Sequence, residues 1–190
     1  MFRKQIDLTD ELIQHDTKRY STRSLDDISK IVVHQTDSLD KGKEHPFRTA
    51  EYHVNTKGWP AIAYHYFITK DGNVYQTNKL NKVSYHAGNN NPESVGVTIT
   101  GKHRYISGTK NWKIISKPMY RSLVMKLAKL KRQFKHAEIV SHDSLSDSRS
   151  DPNLDMDELR KDVTIYQIAR YIIIVLFIAI IMFYVWKMAQ

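Results

Sequence analysis

Apolar residues come in short bursts along most of the chain and in one long run near its end. Ile31-Val32-Val33 and Ile139-Val140 are continuous apolar runs, each followed within two residues by a His. Such runs predict buried strands over 30–35 and 137–141. Residues 61–69, rich in aromatics, read as a second strand. They are joined by the tight turn Asp71-Gly72 to a third over 73–77. Residues 94–100 alternate small and β-branched side chains and read as a fourth. A short helix is expected from Thr49 to about Lys57, with Gly58 as its stop. The clearest helix spans 118–134, where Met119, Leu123, Leu127, Leu130 and Phe134 recur every three or four residues. Lys126, Lys129, Lys131 and Arg132 are assigned to its other, solvated face. Leu8, Leu12 and Ile13 hint at a helix near the start, residues 24–28 at one helical turn, and 154–161 at a short last helix. The expected fold is α/β, a central mixed β-sheet flanked by helices.

The long run is uncharged from Tyr171 to Trp186. As a helix it covers about 24 Å. Ile168, Ala169 and the snorkelling flanks Arg170 and Lys187 extend it toward the roughly 30 Å of a hydrocarbon core. Having no polar face, it reads as one C-terminal transmembrane helix and not as an interfacial or soluble one. The chain therefore divides into an N-terminal arm (1–29), a globular domain (30–155), a linker (156–167) and an anchor (168–187). Residues 1–10 lack the apolar core of a signal peptide, so none is expected.

At 190 residues there is room for one ordinary domain and an appendage. The net charge of +9 suits a polyanion: nucleic acid, an acidic membrane surface or an anionic wall polymer. No nucleic-acid motif accompanies it, so no specific nucleic-acid partner is expected. With no Cys, thiolate metal sites and disulfides are excluded, and any zinc must use His and carboxylate.

Two of the nine His stand at the ends of predicted buried strands, His34 and His142, and Asp151 follows on a Ser- and Asp-rich loop. Two imidazoles and a carboxylate make a three-ligand set that leaves zinc a fourth position, as catalytic sites require. A His at a strand end is also commonly a hydrogen-bonded surface residue, and spacing leaves both readings open.

Four blocks in fixed order resemble the zinc-dependent N-acetylmuramoyl-L-alanine amidases of the peptidoglycan-recognition fold, which include phage lysozyme-type amidases. They are residues 31–36; 58–68 with 71–76; His86-Ala87-Gly88-Asn89 with 94–97; and 139–142 with Arg149-Ser150-Asp151-Pro152. The resemblance covers about 28–155. It implies that His34, His142 and Asp151 bind Zn2+, with Asp at a place where many relatives have Cys. It also implies that Tyr64 and Arg149 are catalytic and that His86 and Asn89 touch substrate. Arg149 departs from the Lys common in the family; it keeps the charge but cannot donate a proton at neutral pH. His65 is read as structural, and His15, His45, His53, His103 and His136 receive no role. The implied activity is hydrolysis of the muramoyl–L-alanine amide of peptidoglycan, with membrane attachment through the C-terminal helix. The alternative is a non-catalytic, membrane-anchored peptidoglycan receptor on the same fold. Arg160, Lys161 and Arg170 outnumber Lys187 across the apolar run, so the positive-inside rule puts the domain on the cytoplasmic side.

Overall fold

The structure is a computed structural model and describes residues 5–190; the first four residues of the arm lie outside the described ones. Six strands form one mixed sheet: β1 (Gln5–Asp7), β2 (Lys30–Gln35), β3 (Tyr66–Ile68), β4 (Val74–Gln76), β5 (Ser94–Ile99) and β6 (Glu138–Ser141). Their order is β1-β4-β3-β5-β2-β6, with the β3–β4 hairpin antiparallel and every other pair parallel. β2 and β5 lie at the centre and are buried on both faces, as parallel strands require.

Alternation divides the layers. Ile31, Val33, Val95, Val97, Ile99, Tyr66 and Ile68 face the larger core, under the helices α3 (Lys117–Gln133) and α4 (Met156–Met188). Phe67 and Tyr75 face the smaller core with Leu8, Leu12, Ala50 and Ile62, where α1 (His45–Glu51) lies. α3 forms where the apolar period indicates. Ser116 caps it by accepting from the Met119 N–H at 3.3 Å, and Pro118 occupies its first turn. Met119, Leu123, Leu127 and Leu130 are each almost fully buried, and burying such side chains is worth about 1.5–3 kcal/mol apiece.

Several expectations are corrected. The first helix begins at His45, because Pro46 fits its first turn, and it continues past Glu51 as a π-helical stretch, Tyr52–Thr56. The expected strand over 61–69 narrows to Tyr66–Ile68, and residues 61–65 are irregular. Among the described residues, 5–13 form strand β1 and no helix; Leu8 and Leu12 are buried from a coil. Between β5 and α3, Asn111–Ile114 is a short helix, α2. Lys126 is buried, with its Nζ 3.8 Å from the Tyr66 ring centroid, and it donates to the Gln5 side chain. Residues 156–167 are the first turns of α4, not a separate linker, and Leu159 and Val163 pack into the larger core. From residue 168 onward the helix is exposed, and it is long and apolar enough to cross a membrane.

Candidate metal centre

β2 and β6 run side by side, Val33 opposite Ser141, and both end at the same edge of the sheet. His34 follows Val33 on β2, and His142 follows Ser141. The His142 N–H donates to the Val33 carbonyl at 3.2 Å, so the ladder brings the two imidazoles together with ring centroids 4.5 Å apart. The loop after His142 returns Asp151 to them. The Asp143 N–H donates to the Asp151 carbonyl at 3.0 Å and closes that loop. Asp151 Oδ2 lies 3.2 Å from His34 Nδ1, and Asp151 Oδ1 lies 2.9 Å from His142 Nδ1.

One ligand atom from each of the three residues lies within 4.8 Å of the others. Nitrogen and oxygen donors bound tetrahedrally to zinc stand about 3.3 Å apart, so the 2.9 and 3.2 Å separations fit that ion. The donor chemistry fits as well. Burial pushes the His34 imidazole down to about 4, against the opposing pull of Asp151, and the neutral ring is the ligating form. Burial would raise the Asp151 carboxyl, but hydrogen bonds from His142 and His34 hold it well below the usual carboxylate range.

The far side of His34 is also held. Its Nε2 lies 3.0 Å from His86 Nδ1, and the two rings meet edge to face at 5.1 Å. His86 is 6% exposed, so the structure places it behind His34 and not along an open groove. Its seat exists because residue 96 is Gly: a Cβ there would come within 2.8 Å of His86 Cγ. Asn89, three residues on, is exposed. Arg149 is exposed too, yet near enough for its charge to disfavour a protonated His34 and to lower the Tyr64 phenol.

Tyr64 is half-buried, its ring 5.3 Å from His34 and 6.0 Å from Phe67. Burial raises its phenol, with the Asp151 charge adding to the effect, so the hydroxyl keeps its proton at neutral pH. Tyr64 and His65 lie on the irregular segment that precedes β3. His65 is wholly buried. Its Nδ1 accepts from the Gly96 N–H at 3.0 Å, and its Nε2 lies 3.2 Å from Arg23 and 3.0 Å from the Lys82 carbonyl.

His53 and Gly96 are positions that sequence reasoning passed over. The His53 Nδ1 accepts from the Ala63 N–H at 3.1 Å, with the ring 4.8 Å from that of Trp59, and so ties down the segment that carries Tyr64. Neither position has a local signal, since each matters only through a partner ten residues away that the fold brings against it.

Burial also pushes His53 down to about 4 and His65 to about 3. Below about pH 6.5 the unfolded chain takes up protons at these two positions that the folded chain refuses until the pH reaches those lower values. Stability therefore falls as pH drops across that window, by about 3 kcal/mol for His53 by pH 4. The expected result is a Tm, followed by circular dichroism at constant ionic strength, that declines steadily from pH 7 to pH 4. A flat Tm over that range would show that these imidazoles protonate without cost.

The N-acetylmuramoyl-L-alanine amidase family matches residues 24–154, and the chain belongs to that family. Peptidoglycan-recognition protein SC1a of Drosophila melanogaster is 39% identical over 54 residues, a stretch spanning 28% of this chain and 29% of that protein's length. Among solved structures, the amidase LysC from Clostridium intestinale superposes with a TM-score of 0.61 at 20% identity, covering 86% of this chain and 99% of its own. The bumblebee protein PGRP-SA superposes with a TM-score of 0.67 at 19% identity, covering 82% and 93%. These two likenesses are of fold, the peptidoglycan-recognition and amidase fold.

Proposed function

We propose that the chain is a zinc-dependent N-acetylmuramoyl-L-alanine amidase that cuts the amide between N-acetylmuramic acid and L-alanine in peptidoglycan. The convergence of His34, His142 and Asp151 within 4.8 Å, beside Tyr64, carries this reading. Family membership supports the amide chemistry. A zinc ion bound there supplies Lewis acidity, which acidifies a water toward about pH 7 and polarises a carbonyl oxygen.

The chain's own residues supply the rest. Asp151 brings one negative charge to the donor set, and His34 and His142 serve as neutral imidazoles. Tyr64 remains a phenol and donates its hydrogen bond to the oxyanion that develops as the amide carbonyl is attacked. Arg149 adds a permanent positive charge to the same oxyanion. Asn89 contacts the glycan or stem peptide from the exposed rim. His86 acts through His34: it fixes the ring's orientation and the nitrogen left free for the metal. Partners of this kind are worth about 10–100-fold in metal affinity or activity. His86→Ala is therefore expected to weaken zinc binding by about that factor, read by competition with a fluorescent chelator. Gly96→Ala should do the same by displacing the His86 ring. Unchanged affinity in both variants would remove His86 from the site.

We also propose that α4 crosses a membrane once and holds the domain on the cytoplasmic side, away from the wall, until the membrane fails. Arg160, Lys161 and Arg170 before the apolar run, against Lys187 after it, support that orientation. The residue that favours the receptor alternative is Arg149, which stands where relatives commonly have Lys. The deciding assay uses the full chain in detergent on purified peptidoglycan, with chelator and then with zinc restored. Chelator-sensitive release of peptides with new L-alanine amino termini supports the amidase. Binding to the wall without release supports the receptor.

A further inference from the structure

The metal-site edge of the sheet and the apolar end of α4 stand at opposite ends of the domain. β2 and β6 are parallel and deliver His34 and His142 at their C-terminal ends. α4 starts beside that edge: its N-cap, Asp155, follows closely on Asp151 and accepts from the Glu158 N–H at 2.9 Å. The helix then runs back along β6 and α3. Arg160 donates to the Ile139 carbonyl at 2.9 Å, Tyr120 donates to Asp162 at 2.6 Å, and Gln167 donates to the Ala128 carbonyl at 3.2 Å. α3 ends just before β6 begins, so Ala128 and the residues after it lie toward the edge where β2 and β6 start. The apolar stretch leaves the domain there.

No break interrupts α4 between Asp155 and Arg170, a rise of about 22 Å. Leu159 and Val163, in the larger core, prevent this part of the helix from swivelling. The exit end also carries exposed cations, Lys129, Arg132, Lys135 and Arg170, which suit an anionic headgroup layer.

We infer that α4 is a rigid strut that stands the metal-site edge about 20 Å off the bilayer and turns it away. The cleft then takes muramoyl–L-alanine amides in wall polymer, and not the same amide carried on a lipid of the membrane in which the protein sits. Reaching a lipid-borne amide would require unwinding α4 near Gln167 or pulling Leu159 and Val163 out of the core. With the domain on the cytoplasmic side, the strut would also spare lipid-linked muramoyl peptides of that leaflet. This inference rests on the amidase and membrane readings above.

The test places the full chain in vesicles of mixed zwitterionic and anionic phospholipid. The chain has no Cys, so Lys135→Cys and Ser148→Cys each give a single labelling position, one at each end of the domain. A quencher attached to lipid headgroups should quench a fluorophore at residue 135 and leave one at residue 148 at its solvent background. Equal quenching overturns the strut, as does failure of the protein to remain with the vesicles. Two substrates of the same chemistry then separate the sources: a water-soluble disaccharide peptide and its lipid-linked form in the same vesicles. The soluble form should be cut at least ~100-fold faster, the scale of a mispositioned reaction. A short Gly-Ser segment inserted between Gln167 and Ile168 should raise cleavage of the lipid-linked form and leave the soluble rate unchanged. Equal rates without the insertion overturn the proposal. Unequal quenching with neither substrate cut leaves the strut standing and counts against the amidase reading alone.

Discussion

Alanine at His34, His142 or Asp151 is expected to abolish stoichiometric zinc binding and, with it, amide hydrolysis. A metal with three protein ligands loses a third of its protein donor set in each variant. The effect should exceed the 10–100-fold that removal of an outer partner such as His86 costs. Two of the three are informative in different ways. His34 is 1% exposed, so His34→Ala also opens a cavity among His86, His142 and Tyr64. His142 is less deeply buried, its side chain 12% exposed, and lies outside the hydrophobic core clusters, so His142→Ala removes the ligand with less disturbance of the core. Metal content measured on both variants, alongside their Tm, separates ligand loss from unfolding. Full zinc occupancy in a folded His142→Ala protein would contradict the ligand set.

Much of this site was legible before the fold was known, for a physical reason. A parallel strand buried on both faces must be apolar almost throughout, so a His at the end of Ile31-Val32-Val33 stands out; the one after Ile139-Val140-Ser141 ends an edge strand that is only partly buried and is legible from its apolar pair alone. What could not be read is what depends on partners distant in sequence. β1 is three residues long and polar in part; it is a strand because Gln5, Ile6 and Asp7 pair with β4 some seventy residues away. The His86 ring sits behind His34 only because Gly96, on β5, leaves room for it.

Lys126 is a different case. It lies seven residues after Met119 and three after Leu123, so helical periodicity puts it on the apolar stripe of α3. Its charge led to the opposite assignment. The Tyr66 ring and Gln5 accommodate the ammonium there, and burial pushes it down to about 7. The continuity of α4 was similarly hidden. The polar stretch 156–167 resembles a linker, but Leu159 and Val163, four apart, with Met156 and Tyr166 packed beside them, lay one face of the helix on the core.

Tyr64→Phe is expected to lower the rate of amide hydrolysis by about 10²–10³-fold, the cost of removing one oxyanion donor, with zinc affinity unchanged. The substitution deletes a single oxygen. The ring contacts to His34 at 5.3 Å and Phe67 at 6.0 Å do not depend on the hydroxyl, and the 61–65 segment stays tied through Ala63 to His53. Burial and the Asp151 charge keep that hydroxyl protonated, so what is lost is a hydrogen-bond donor and not a charge. The loss should fall on kcat and leave KM nearly constant, because the oxyanion exists only in the transition state and the intermediate that follows it. Arg149→Ala offers the comparison. Its guanidinium is exposed, and solvent screens its charge, so its removal should cost less than that of the Tyr64 hydroxyl. If Tyr64→Phe were fully active and Arg149→Ala inactive, the exposed cation would be the principal oxyanion partner, and Tyr64 would be left as the aromatic wall that packs His34 in place.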